Sequence, residues 1–495
     1  MIQRHGWVRA VVRMSLMSSA RSSGRHARRP SFTDHGARRR RQWVADLLGS
    51  AGIAGLAVVV ALWLSNGGIQ GFGRPGGVGT ELGRLSGLVS AYLLLLQVLL
   101  MARIPWLESL WGQDVLARRH RLLGFASFDL MLVHIVAITL GYAQSAQSGI
   151  WHESWLLLTV YPGMLLAAAG TVALIAVVVT SIRAARRRLR YASWHLIHLY
   201  AYLGVGLALP HQLWTGADFT ASSLATVFWW GLWTAAAATI VIWRVGFPLF
   251  RSARHRLVVE RVIRESPEVV SVVMQGRHLA SLGLHAGQFC QWRFLGRPGW
   301  TRAHPFTVSA VPTADRIRIT LRASGDGTRD IALLRPGSRV LLEGPYGIMT
   351  AHRRHQRDAL LLAAGVGLTT MRGLAEAILS EEPSAGTGGR RRPSVVVLHR
   401  IRAHRDALFA GEFAALARTS DLRVIPLLGS RRTRSDWWGG RQTDPPETLL
   451  RRTVPDVLNR EIYLCGPPEW MRSARESLRR MGIPGRHVHA EEFGW

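Results

Sequence analysis

Lysine is absent from all 495 residues, so arginine alone supplies the basic excess of a chain with 62 basic and 31 acidic residues and a formal charge of +31. Charge as a whole is sparse. Charged residues make up 19% and hydrophobic residues 48%, a balance that excludes a disordered chain and is poorer in charge than a soluble protein. Cysteine is limited to Cys290 and Cys465, far apart and without partner spacing. That excludes a disulfide framework and a zinc ribbon and suits a reduced, cytosolic setting. Residues 1–42 hold eleven arginines against one acid, Asp34, and no apolar run ahead of a small-residue cleavage site. They read as a disordered basic cytosolic tail, not a signal peptide. A tail that binds anionic lipid or RNA is one rival reading, but the uneven spread of charge fits membrane topology better, and no nucleic-acid partner is expected.

Six apolar runs reach the roughly 17–25 residues that a spanning helix needs: 43–64, 83–103, 120–142, 156–182, 192–213 and 222–247. The segment 103–121 carries Arg103, Arg118, Arg119 and Arg121, and 183–190 reads RAARRRLR, whereas 143–155 and 212–221 contain no arginine. The positive-inside rule then puts both chain ends in the cytosol, with six spans in a plasma membrane. Trp43, Trp63, Trp106, Trp155, Trp194, Trp214 and Trp243 mark span ends, where an amphipathic ring prefers the headgroup layer.

Ionisable groups inside spans demand a reason. His120 and His134 fall in the third span, His198 and His211 in the fifth. Fourteen residues of helix rise about 21 Å and return to within about 40° of the same face, so one helix can serve two stacked planar cofactors. Paired imidazoles on facing helices are what a six-coordinate haem iron requires. Thirteen residues leave His198 and His211 about 140° apart, so the fifth helix is expected to bend or unwind at Gly204, Gly206 or Pro210. His195 is the rival ligand there. Asp129, between the two levels, pairs with a buried cation or marks a proton path.

Beyond Phe250 the hydropathy shortens to alternating segments at Leu257 to Val262, Val269 to Met274 and Ile317 to Arg322, the pattern of a small antiparallel β-barrel. From about 355 apolar strands alternate with helices: Ala359 to Ala364, Met371 to Leu379, Ser394 to His399, Leu422 to Leu428 and Glu461 to Cys465. This is the order of a parallel sheet covered by helices. The expected divisions are a tail at 1–42, a six-helix transmembrane domain at 43–250, a β-barrel domain at 251–352 and an α/β domain at 353–495. In the last, Gly365-Val366-Gly367 follows a strand and opens a helix, where backbone donors hold pyrophosphate. Cys465-Gly466-Pro467-Pro468 ends a later strand of the same sheet at the ligand-binding edge. In the barrel, His304-Pro305-Phe306-Thr307 offers an edge for a flavin ring, and Arg322 with Gly325-Asp326-Gly327-Thr328 a diphosphate site. Gly344-Pro345-Tyr346-Gly347 reads as the turn that closes the barrel.

Together, these residues resemble the ferric reductase and NADPH oxidase superfamily over about 43–495. The resemblance rests on the two histidine spacings, on HPFT at 304–307 and on the order of GPYG, GVG and CGPP behind it. It implies that His304, Pro305, Phe306 and Thr307 line FAD, with Thr307 at its reactive edge, and that Arg322, Gly327 and Thr328 serve the diphosphate. Gly365, Gly367, Thr369, Cys465, Gly466 and Pro467 would contact NAD(P)H, and Trp495, or its competitor Phe493, would cover the flavin. Thr370 stands where family members commonly have proline. Arg400 or Arg402 would meet a 2′-phosphate and favour NADPH over NADH. The implied activity moves electrons from cytosolic NAD(P)H through FAD and two haem b groups to an external acceptor, Fe3+ or O2. A quinone or a partner protein is the alternative acceptor, and a transporter with a regulatory nucleotide-binding domain the reading from another class.

Overall fold

A computed structural model describes residues 35–182, 185, 191–297, 299–323, 328–381, 392–429, 436–440 and 443–491. Gly327, Phe493 and Trp495 therefore lie outside the described residues, as do most of the basic tail and most of the segment 183–190. The first helix, α1 (His35–Ser65), begins ahead of the expected 42/43 boundary. It is followed by α2 (Gly77–Leu100), the short α3 (Pro105–Trp111) and α4 (Gln113–Ser145). Gly79, Gly83 and Gly87 place a smooth stripe on α2. A Cβ at Gly79 would lie 2.8 Å from the Gly141 Cα, and one at Gly83 2.6 Å from the Ile138 side chain. Small residues at this spacing let two helix backbones approach closely in lipid, where no hydrophobic drive holds them together.

The expected fourth span, 156–182, is broken into α5 (Ile150–Val160) and α6 (Met164–Ser181). Pro162 has no amide hydrogen and Gly163 takes φ +83°, so the helical ladder cannot run through them. Helix α7 (Tyr191–Trp214) runs unbroken with Pro210 inside it. The unwinding expected between His198 and His211 is thus not seen, because one missing backbone donor is accommodated within the helix. Helix α8 (Ser223–Thr239) is capped by Ser222, whose Oγ accepts from the Ala225 amide at 3.2 Å. It widens into a π-turn at Ile240–Gly246 and continues as α9 (Phe247–His255). The expected boundary at 250/251 therefore falls inside a helix.

Five helical stretches are long and apolar enough to cross a membrane: Gln42–Ser65, Gly77–Leu100, Val115–Ser145, Met164–Ser181 and Ser223–His255. Helix α7, also 24 residues long, is not among these five stretches. Leu122, Val136, Val172 and Val241 are among many large apolar side chains left exposed on these helices, as lipid-facing surface requires.

Strands β1 (Val258–Ser266), β2 (Val269–Gln275) and β5 (Arg316–Arg322) form one antiparallel sheet. Strands β4 (His304–Thr307), β3 (Phe289–Phe294) and β6 (Val340–Tyr346) form another. Bridges Val258–Arg339 and Val308–Ile319 join the two around buried Trp292, Phe294, Ile319 and Leu342. In place of one continuous barrel ladder there are two three-stranded sheets touching at these bridges. Gly344, Pro345 and Tyr346 end β6, where a turn was expected.

The C-terminal sheet is wholly parallel, in the order β11 (Val488–Ala490), β10 (Glu461–Cys465), β7 (Ala359–Ala364), β8 (Val395–Ile401), β9 (Leu422–Leu428). Every residue of β7, β8 and β10 is buried, because α10 (Leu368–Leu379), α11 (Ala410–Thr419), α12 (Pro446–Thr453) and α13 (Pro468–Arg480) cover the faces. The chain reverses direction across the sheet between β7 and β10. Ligands bind at such switch points, beyond the carboxyl ends of the strands.

Candidate functional site

The four span histidines come together in pairs. The His120 ring on α4 faces that of His198 on α7, with centroids 5.9 Å apart and planes at 74°. A metal held between two imidazoles by bonds of about 2.0–2.1 Å sets the centroids about 6 Å apart, so the pair suits an axial ligand set. Trp194 stacks on His198 at 5.0 Å, and Ser181 Oγ lies 3.3 Å from His198 Nδ1. His195, the rival, is exposed. At the other level, His134 lies within electrostatic reach of His211. His134 Nδ1 donates to the Gly83 carbonyl at 2.7 Å. A carbonyl only accepts, so the neutral ring keeps its lone pair on Nε2, the arrangement that orients a metal-ligating histidine. His120 and His211 each bury their Nδ1, with the backbone of Gln97 and of Ala208, respectively, beside the ring. These donors fit a haem at each level. Asp129 sits on the exposed side of α4.

The membrane helices join the β-sheets through ionic contacts. Arg103, just past α2, lies 4.6 Å over the Tyr346 ring and 3.3 Å from Glu343, which also accepts from the Tyr346 hydroxyl at 2.9 Å. Arg251 of α9 donates to the Gly344 carbonyl. Burial pushes nearby Glu108 up to about 8, even though Arg103 opposes the shift.

On β4, His304 and Phe306 project from one face and stack, with centroids 5.8 Å apart and planes within 3°. Arg297 donates to His304 Nε2 at 2.9 Å. Burial, with Arg297 and Arg302, holds His304 at about 4, so it is neutral at physiological pH. Thr307 is buried and pairs across the sheet with Phe289, and Pro305 with Gln291. Arg322 is exposed and bound to Glu268, and Thr328 begins the short helical turn Arg329–Leu333.

The two nucleotide signatures meet. A Cβ on Gly367 would lie 2.3 Å from the Cys465 carbonyl oxygen and 3.2 Å from its Sγ, so glycine is required for β7 and β10 to end side by side. Thr369 and Thr370 are buried there, and Gly466 packs against Trp470. Pro467 caps α13. His399 Nε2 donates to the Gly365 carbonyl at 3.2 Å. Burial holds His399 at about 4 and pushes the Cys465 thiol up to about 12, so Cys465 is no thiolate nucleophile. Arg400 is buried and donates to the Ile401 and Leu427 carbonyls at 2.8 and 3.1 Å, while Arg402 is exposed. Sequence reading missed Glu491, whose carboxylate accepts from the Ile348 and Met349 amides at 2.6 and 3.2 Å and fastens the last described residue behind GPYG.

Residues 86–209 match the family described as ferric reductase like transmembrane component, and residues 361–476 the oxidoreductase NAD-binding domain. The chain matches the ferric reductase and NADPH oxidase superfamily. Its first match includes His120, His134 and His198, while His211 follows just past the end. The reductase half is similar to the ferredoxin reductase component of 3-ketosteroid-9-alpha-monooxygenase from Mycolicibacterium smegmatis, 29% identical over 48% of this chain and 65% of that one. It is also similar to a flavohemoprotein of Xylella fastidiosa, 29% identical over 48% of this chain and 58% of that one. The chain thus covers less than two thirds of these relatives. A ferredoxin NADP+ reductase from Neisseria gonorrhoeae with bound FAD and NADP aligns with 48% of the chain and 98% of its own, at 18% identity and a TM-score of 0.38. The chain thus joins a helical membrane domain matched to the ferric reductase like transmembrane component to a module matched to the oxidoreductase NAD-binding domain.

Proposed function

We propose that the chain passes electrons from cytosolic NAD(P)H, by way of FAD and two b-type haems, to an acceptor on the far side of the plasma membrane, ferric iron or dioxygen. The observation that carries this reading is the facing His120–His198 pair, 5.9 Å apart, on two helices of a domain matched to ferric reductases. When bound, nicotinamide supplies electrons in pairs, flavin parts them and haem iron carries them singly. His120 and His198 would hold the haem nearer the reductase, His134 and His211 the outer one, where Gly83 fixes the His134 tautomer. Two histidines at each level would hold a haem iron from the protein on both sides, which would favour electron transfer over oxygen binding at the metal.

In the reductase, the stacked His304 and Phe306 with Pro305 form an apolar wall for FAD, and Thr307 brings a hydroxyl to its edge. Arg322, Gly327 and Thr328 hold the diphosphate, for which Arg322 must leave Glu268. Gly365, Gly367 and Thr369 with Cys465, Gly466 and Pro467 bind NAD(P)H at the switch point, and Trp495 shields the flavin. Arg402, being exposed, suits a 2′-phosphate better than Arg400, whose guanidinium is committed to backbone carbonyls. Six spans, α7 included, place the arginine-rich loops and both termini in the cytosol.

Replacing His134 with alanine tests the assignment. The expected variant holds one haem per chain and still reduces its flavin with NAD(P)H, but delivers no electrons across the membrane. Two haems and full transmembrane activity in that variant would overturn it.

A further inference from the structure

At the amino edge of the parallel sheet, opposite the nucleotide signatures, three histidines surround one fully buried carboxylate. Glu461 opens β10, about 13 Å from Cys465 at the strand's other end. His355 Nδ1 lies 3.1 Å from Glu461 Oε1, and His487 Nδ1 lies 3.1 Å from Oε2. His489 Nε2 contacts Oε1, and the Gln356 amide donates to Oε2 at 3.0 Å. The His355 and His487 rings meet edge to face at 5.2 Å, and His489 is stacked on Tyr463 at 4.8 Å.

A buried carboxylate is neutralised by one cation and satisfied by two or three donors. Here it collects three imidazoles, each able to present a neutral nitrogen lone pair. The ligand atoms of His355, Glu461 and His487 all lie within 4.8 Å of one another. Ligands bound to zinc at about 2.0–2.2 Å in a tetrahedron sit about 3.3–3.6 Å apart, and each imidazole nitrogen lies 3.1 Å from one carboxylate oxygen, His355 from Oε1 and His487 from Oε2, so the carboxylate can approach a shared ion through either oxygen. His489 and the Gln356 amide would then orient the carboxylate from behind, as outer partners of metal ligands do. The side chains of His355 and His487 are 21% and 10% exposed while that of Glu461 is at 0%, so one side of the cluster opens to solvent and leaves a fourth position for water. Arg486 Nε donates to His487 Nε2 at 3.3 Å and must turn aside as His487 Nδ1 gives up its proton.

We propose that His355, Glu461 and His487 form a zinc site, open at its fourth position, that is separate from the electron path. The ion ties the segment before β7 to β10 and to the turn Gly485–His487 that leads into β11, adding to the hydrogen bonds already made there by Glu461. Because β11 leads directly to Glu491 and its anchor behind GPYG, zinc stiffens the approach to the C-terminal residues.

The test uses the full chain with its cofactors in detergent, stripped by a chelator and dialysed against zinc chloride, with bound zinc counted by elemental analysis. The wild type should hold one more zinc per chain than His355→Gln or His487→Gln. Zinc should raise the temperature at which flavin fluorescence is released in the wild type and leave that of both variants unchanged. Equal zinc contents, or the same thermal shift in all three, would overturn the site. If a variant loses its FAD and so fails to fold, zinc-edge X-ray absorption of the wild type decides: a nitrogen and oxygen shell with scattering from two imidazoles supports the site, and a shell without imidazole overturns it.

Discussion

Gly87 offers a sharp test of the histidine assignment, because it changes a ligand's position without touching the ligand. A methyl group at this position would sit 2.5 Å from His134 Nδ1, 2.9 Å from Cε1 and 3.0 Å from Cγ. Ordinary contact begins near 3.4 Å, so the ring must retreat by about 0.9 Å, while metal–ligand distances tolerate about 0.2 Å. The same retreat breaks the bond to the Gly83 carbonyl, and losing such a partner costs about 10–100-fold in metal affinity. Alanine otherwise favours a helix over glycine by about 1 kcal/mol, so helix content should hold. In Gly87→Ala we expect haem per chain, measured as the pyridine complex, to fall from two to about one, with an unchanged far-ultraviolet spectrum. Gly231→Ala, whose Cβ meets nothing within 4 Å, should keep both. Two haems with unshifted spectra in Gly87→Ala would refute the reasoning.

The remaining predictions concern the reductase and its junction. In Gly367→Ala the new Cβ would strike the Cys465 carbonyl, so NAD(P)H should reduce the flavin at least about 10-fold more slowly, while dithionite still reduces the haems. Stopped-flow flavin bleaching checks this. Because burial pushes Cys465 up to about 12, alkylation by iodoacetamide at pH 7 to 9 should leave NAD(P)H oxidation unaffected, and rapid inactivation would contradict a buried thiol. Glu108, at about 8 in the folded protein against about 4.3 unfolded, binds its proton more tightly when folded. It therefore costs stability as pH rises from about 4.3 to 8. Glu108→Gln should flatten that fall, read as flavin-release temperature at pH 5.5, 7 and 8.5.

The parallel sheet was the most legible part of the chain. Ala359–Ala364, Leu422–Leu428 and Glu461–Cys465 are strands with the very bounds their apolar runs suggest; for the wholly buried β7 and β10 this follows because strands covered by helices read as hydrophobic blocks. Strand β11 was not legible, since three residues, one of them His489, carry no periodicity. The fourth apolar run looked continuous because hydropathy does not register the break that Pro162 and Gly163 impose. For the candidate site, histidine spacing along α4 and α7 suggested two levels, and His120 and His198 meet at one of them, but which nitrogen of His134 faces which helix depended on Gly83, whose contribution is a backbone carbonyl. The meeting of Gly367 with Cys465 was expected only as a shared sheet edge. The cluster around Glu461 escaped notice because His355 and His487 meet only once β10 lies between β7 and β11.

The central claim is that one chain carries electrons from a nicotinamide site to paired histidines in the membrane. Its most direct test is the absorption spectrum of the detergent-purified protein before and after anaerobic NADPH, with haem and flavin quantified per chain. The account predicts two haems per chain that become reduced only when FAD is present. A chain without haem, or haems that NADPH leaves oxidised in the FAD-loaded protein, would contradict it.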